Sequence, residues 1–125
     1  MRLVVIPPES DAFPAAAREL TARLAAAKVP GVDDTQVSKV SLEVVQLSVE
    51  CVEPTNVCYD AIGRSMAVDR LLFARLEPGG KRQLKVTVTL YDVDAKTAMR
   101  TATKLFASET EASSGAAALV DEVAR

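Results

Sequence analysis

The chain has neither histidine nor tryptophan among its 125 residues. Without histidine it lacks the commonest general base and the commonest zinc ligand, and without tryptophan the strongest platform for stacking bases. There are two cysteines, Cys51 and Cys58, so a structural zinc site would have to complete its ligands from Glu50, Glu53 or Asp60, and no metal or cofactor is expected. Fifteen basic and 17 acidic side chains leave a net charge of -2. That balance generates no field to draw phosphate backbones or anionic lipid, and the five aromatic residues are scattered, so nucleic acid is not an expected partner. No apolar run approaches the ~20 residues of a membrane span, so direct insertion of this domain into a bilayer is not expected. Most familiar active sites cannot be assembled from what remains.

What is present is globular. Apolar residues make up 49% of the chain and charged residues 26%, enough to bury roughly two-thirds of the unfolded surface around one core, so residues 1–125 are expected to form a single domain. After Met1, "RLVVIPP" reads as a strand closed by Pro7 and Pro8, without the length or cleavage site of a signal peptide. Two accounts fit: a cytoplasmic chain, or a domain excised from a longer protein whose leader lies elsewhere.

The next stretch, "ESDAFPAAARELTARLAAAKVPG", predicts an amphipathic helix with Asp11 as N-cap, Pro14 in the first turn and Pro30-Gly31 as the stop. Phe13, Ala17, Leu20, Leu24 and Ala27 form its apolar face, while Glu19 and Arg23 make an i,i+4 pair worth ~0.3 kcal/mol. "VSKVSLEVVQLSVECV" fits two periods: Val45, Leu47, Val49 and Cys51 alternate as in a strand, whereas Val40, Val44, Leu47 and Cys51 fit a helix face. Local rules lean to strand. "PTNVCYDAIGRSMAVD" predicts a short helix capped by Thr55, with Cys58, Ile62, Ser65 and Met66 along one side. Then "RLLFARL" and "RQLKVTVTLYD" read as strands joined by the turn "EPGGK", "AMRTATKLF" as a third strand, and "SSGAAALVDEVAR" as a helix capped near Ser113. The order predicts an α/β (α+β) two-layer sandwich, a mixed sheet of about four or five strands with helices packed on one face.

Several side-chain groups invite functional readings and yield to simpler ones. Asp33-Asp34 and Glu50/Glu53 have nothing opposite them to drive their pKa values apart, so they read as surface charge. Ser65 has no base to activate it. Gly79-Gly80 with Lys81, Arg82 and Lys85 lacks the length and the Lys-Ser/Thr ending of a phosphate loop, and reads as a hairpin turn with a basic rim.

Two phrases carry a family resemblance. Gly63, Arg64, Met66, Ala67 and Asp69 stand in a "GxxLGAD" phrase, and Leu90, Asp92 and Thr97 in an "LxDxxTG" phrase. With the opening "RLVVIPPES", these make the chain, from Leu3 to the last helix, resemble the TolB amino-terminal-like domain of bacterial envelope proteins. Ala67 and Ala98 replace usual glycines, so the helix is expected to end without a left-handed cap. The resemblance implies that Leu42 to Val49 is helical, against the local reading. It also implies a non-catalytic protein-interaction module in the periplasm, whose partners are other envelope proteins.

Six residues separate Cys51 from Cys58, so the C-x-x-C spacing of a redox site is missing. A disulfide pinning the start of the second helix is preferred once the envelope reading supplies an oxidising compartment, and two buried thiols are the cytoplasmic alternative. Thr87, Thr89 and Tyr91, with Arg100 and Lys104 of the last strand, are the candidate partner-binding face, reached by strand addition or side-chain contact. The alternative function is a small cytoplasmic scaffold or regulatory ligand-binding domain. Nothing in the pattern sets an oligomeric state.

Overall fold

Leu3 to Ile6 are four consecutive apolar side chains, and all four are buried, which requires cover on both faces of the strand that carries them. A computed structural model, describing residues 1–8, 10–51, 55–81 and 83–124, shows how that cover arises. The elements run β1 (Arg2–Ile6), α1 (Pro14–Ala26), β2 (Asp34–Val37), α2 (Leu42–Ser48), α3 (Asn56–Met66), β3 (Arg70–Gly80), β4 (Gln83–Asp92), β5 (Thr97–Phe106) and α4 (Glu109–Ala124). The strands form one mixed sheet in the order β2-β1-β3-β4-β5. β1 runs parallel to β2 and to β3, and β3, β4 and β5 form an antiparallel meander.

This is the α+β class and mixed sheet that the pattern predicts. α1 and α4 form the helical layer on one face: Leu20 and Leu24 of α1 and Ala116, Leu119, Val120 and Val123 of α4 close over Leu3, Val5, Leu72, Leu84, Val86, Val88 and Leu90. The shorter α2 and α3 cover part of the other face, with Leu42, Val45, Cys58, Tyr59 and Ile62 against Val4, Ile6, Leu71, Phe73, Tyr91 and Val93. Their cover reaches β1, the first half of β3 and the end of β4. Beyond it, the second half of β3, the first half of β4 and the second half of β5 leave a sheet face without a helix among the described residues.

Several local expectations are corrected. Residues 42–48 are helical, as the resemblance implies and against the local strand reading: Ser41 Oγ accepts from Val44 N at 3.4 Å, and the strand-like alternation is a by-product of frequent valine. Asp11 does not cap α1. Glu109 Oε2, at the start of α4, accepts from Ala15 N at 2.9 Å and Ala16 N at 3.0 Å, meeting the unsatisfied donors of the first turn from the neighbouring helix. α4 begins earlier than the Ser113 expectation, because Ser108 Oγ accepts from Glu111 N at 3.2 Å. Its Gly115 is fixed by packing, since a Cβ there would lie 2.5 Å from Phe106 Cε1.

α3 is capped by Thr55, whose side chain accepts from Cys58 N at 3.2 Å, as predicted. Ser65 is exposed, and Tyr59 and Gly63 occupy the buried face with Cys58 and Ile62. At its other end Ala67 takes the left-handed conformation itself, φ 54 and ψ 49. Its N–H donates to Arg64 O and that of Val68 to Gly63 O, each at 3.2 Å. The expectation of an end without a left-handed cap is therefore wrong: the cap forms on alanine and carries the strain that glycine avoids.

Candidate functional site

The residues that carry the sequence resemblance are occupied with structure. Asp69 Oδ2 accepts from Arg2 N at 2.8 Å and Asp69 N donates to Arg2 O at 2.9 Å, which ties the start of β1 to the start of β3. Asp92 Oδ1 accepts from Arg70 Nη1 at 2.9 Å and from Ala95 N at 3.1 Å, closing the turn between β4 and β5. Gly63 packs so tightly against Val93 that a Cβ would overlap its side chain. These positions hold helix ends and turns, and leave no group poised for chemistry.

The other sequence candidates disperse. Asp33 Oδ2 lies 2.7 Å from the terminal amine of Met1, whose hydrogen bond and charge hold the Asp33 carboxyl below the usual range. Asp34 Oδ2 lies 3.5 Å from Arg2 Nε, so the two carboxylates are drawn to different cations at the β2 edge. Glu50 is exposed, in the left-handed region with φ 59. Glu53 and Arg82 lie outside the described residues. Among the described residues, no three potential metal-ligating His, Cys, Asp or Glu side chains gather, and no helix is long and apolar enough to cross a membrane.

Cys51 and Cys58 are joined as a disulfide with their Cα atoms 5.6 Å apart. It links the chain just after α2 to the first turn of α3, and Gln46 Nε2 donates to Cys58 Sγ at 3.6 Å. Cys58 is 1% exposed. The bridge thus anchors the two helices that cover β1 and β3 and marks where that cover ends.

The five residues proposed as one binding face divide between two. In the β4–β5 register Leu90 faces Arg100 and Val86 faces Lys104, so Arg100 and Lys104 share the face of α4. Thr87, Thr89 and Tyr91 point to the opposite side, where Thr103, Thr101 and Ala98 stand across from them. A register shift between Leu90 and Tyr91 and the period-2 pleat account for the split. Tyr91 is not half-exposed: it is fully buried under α3, edge-on to Tyr59 at 5.6 Å, and its hydroxyl donates to Asn56 O at 3.0 Å. Burial first, then the charges of Asp60 and Asp92, push its pKa up. Thr89 is buried as well, at 7% exposure.

What remains open on that side is a polar sheet surface. Arg75 faces Thr87, Glu77 faces Lys85, and these continue across to Thr101, Thr103 and Leu105 of β5. Thr103 Oγ1 donates to Thr87 Oγ1 at 3.2 Å. Where the sheet meets the first turn of α3 lies a concavity of about 400 Å³ lined by Asn56, Tyr59, Arg75, Glu77, Thr87, Thr89, Ala98 and Thr101. Arg75 was hidden in the sequence as one charge in the strand "RLLFARL". Its Nε and Nη2 are buried and have no hydrogen-bond partner among the described residues. The signal that marks it is register: Leu71, Phe73 and Arg75 share one face, and the last is charged. A second hollow of about 450 Å³ lies between α1 and α4, lined by Arg23, Lys28, Asp121 and small apolar residues.

No protein-family model matches the chain, and no curated protein matches it. Among solved structures it is similar to the LpoB C-terminal domain from Salmonella enterica, with a TM-score of 0.52 at 14% identity, covering 84% of this chain and 81% of that one. It is also similar to the LpoB C-terminal domain from Escherichia coli, with a TM-score of 0.50 at 15% identity and coverage of 84% and 81%. At such identities the likeness is one of fold.

Proposed function

We propose that this chain is a non-catalytic protein-interaction domain of a bacterial cell-envelope assembly, of the TolB amino-terminal-like type and one piece of a longer periplasmic protein. The observation that carries the reading is the open polar surface of β3, β4 and β5, continuous with a β5 edge that has no strand partner among the described residues. A ten-residue edge, Thr97–Phe106, offers main-chain donors and acceptors for strand addition, and the threonines beside it offer side-chain contacts. Arg100 and Lys104, on the α4 side of the same strand, are charges that discourage indiscriminate edge pairing. Two further observations support the envelope setting. The fold is shared with the LpoB C-terminal domain of two enteric bacteria, and a disulfide persists in an oxidising compartment.

A photo-crosslinking amino acid placed in living cells at Thr103 or Leu105, both exposed on this surface, tests the reading. An exposed position on α1, Ala22, serves as control. The expected result is a discrete adduct with an envelope protein at the β5 positions and none at Ala22, with cysteines that alkylate only after reductant. Identical adducts at all three positions, or thiols that react without reductant, would overturn it and move the cytoplasmic scaffold ahead.

A further inference from the structure

On the open face, the Arg75 guanidinium has two buried nitrogens without a hydrogen-bond partner among the described residues. Its neighbours in the register are Thr87 across the strand pair and Glu77 two residues on, and no ion pair joins it to Glu77 among the described residues. The two nitrogens left without partners, Nε and Nη2, make up one edge of the guanidinium. On that edge the N–H bonds run parallel, at the spacing of the two oxygens of one carboxylate. The side chain borders a concavity of about 400 Å³ whose other polar lining is the Asn56 amide, the Glu77 carboxylate and the hydroxyls of Tyr59, Thr87, Thr89 and Thr101.

We propose that this concavity is a carboxylate-binding site in which the Nε/Nη2 edge of Arg75 grips both oxygens and the threonine hydroxyls add single hydrogen bonds. Both nitrogens are buried in this structure, so the grip requires rotation about the outer bonds of the side chain to bring that edge into the hollow. Charge selects the class of ligand. Glu77 stands opposite Lys85 in the β3–β4 register, so those two charges offset and Arg75 leaves one positive charge, which a monoanion balances, whereas a phosphate dianion would leave a negative charge beside Glu77. The first turn of α3, which contains no acidic residue and opens at Asn56 beside the hollow, adds a partial positive charge of the same preference. The carboxylate comes either from a free small acid or from a protein, as an acidic side chain or a chain terminus. The protein source rests on the interaction-domain reading above; the free-acid source does not.

The test is an NMR titration of the ¹⁵N-labelled chain, following the Arg75 Nε–Hε signal and the Thr87 and Thr101 amides. The probes are sodium acetate, the peptides N-acetyl-Gly-Glu-Gly-amide and N-acetyl-Gly-Gly-Gly, inorganic phosphate, and chloride at matched ionic strength. Saturable shifts with the carboxylates, and linear ones with chloride, are the expected result. Arg75→Lys, which keeps the charge and removes the fork, is expected to bind at least ~10-fold more weakly. Saturation by a peptide at concentrations where acetate fails assigns the protein source. Saturation by acetate alone assigns a free acid and leaves the site standing while the interaction reading loses its support here. Phosphate that saturates as tightly as carboxylate, unchanged binding by Arg75→Lys, or no saturable shift at all would overturn the site, whatever the crosslinking at β5 shows.

Discussion

Replacing Ala67 by glycine is expected to stabilise the protein, although it removes a methyl group and adds none. Ala67 ends α3 in the left-handed region, φ 54 and ψ 49, where the Cβ of an L-residue crowds the following carbonyl at a cost of about 1–2 kcal/mol. Glycine escapes that cost. It also loosens the unfolded chain, which returns about 0.4–1 kcal/mol to the unfolded side. The methyl is exposed, so no packing is lost, and the bonds from Ala67 N to Arg64 O and from Val68 N to Gly63 O do not involve it. The net expectation is a gain of about 0.5–1 kcal/mol, a shift of about 0.3–0.5 M in the urea midpoint at unchanged slope. Ala22→Gly, on the exposed side of α1, is the control of opposite sign, because a helix interior loses about 1 kcal/mol to glycine. If both variants lose stability alike, Ala67 is not left-handed in solution and the account of this helix end is wrong.

Three other perturbations test the core and the caps. Gly63→Ala pushes a Cβ into the Val93 side chain and is expected to cost about 1–3 kcal/mol by urea denaturation, with much of the loss recovered when Val93→Ala is added. Glu109→Ala removes the acceptor of Ala15 N and Ala16 N; a loss of about 1 kcal/mol is expected, with faster hydrogen exchange confined to the first turn of α1. Tyr91→Phe gives up the bond to Asn56 O, worth about 1 kcal/mol near neutral pH. The same variant changes the alkaline limb. Both states hold the Tyr91 proton below its ordinary pKa of 10.0, and above it the unfolded chain ionises first because burial raises the folded value, so stability falls as pH rises. That part of the alkaline loss is expected to disappear in Tyr91→Phe, and urea midpoints measured on both sides of the ordinary tyrosine pKa read it.

How far the chain could be read in advance follows from the range of the interactions that fix each element. β1 and β4 were legible because burial is written in their own residues, four apolar in a row for Leu3 to Ile6 and strict alternation from Leu84 to Leu90. β2 was not, since all four of its residues are exposed, and main-chain pairing with β1 and the Asp34–Arg2 ion pair hold it instead of a buried apolar face. α2 was ambiguous because seven residues rich in valine fit both periods. The cap of α1 was invisible for a different reason: Glu109 lies 94 residues from Ala15, and no local rule reaches across that distance. The binding face failed on register. Separating Arg100 and Lys104 from Thr87 requires knowing that the β4–β5 register shifts between Leu90 and Tyr91, and nothing in the string announces it.

Function, on this structure, has to be sought in residues that the fold does not need. Asp69, Asp92, Gly63 and Thr55 each have a bond or a contact that explains them; Arg75 has none for two of its nitrogens. A buried polar group left unpaired costs about 1–3 kcal/mol, so an apolar residue of similar length would serve the sheet better. Arg75→Met keeps the stem packed against its neighbours and removes the unpaired atoms, and it is expected to raise stability by about 1 kcal/mol while abolishing carboxylate binding. A stabilised, well-dispersed variant that no longer binds acetate or peptide would locate a functional cost at Arg75. A destabilised one would mean that the guanidinium has a structural partner, and the concavity would then be a gap between α3 and the sheet rather than a site.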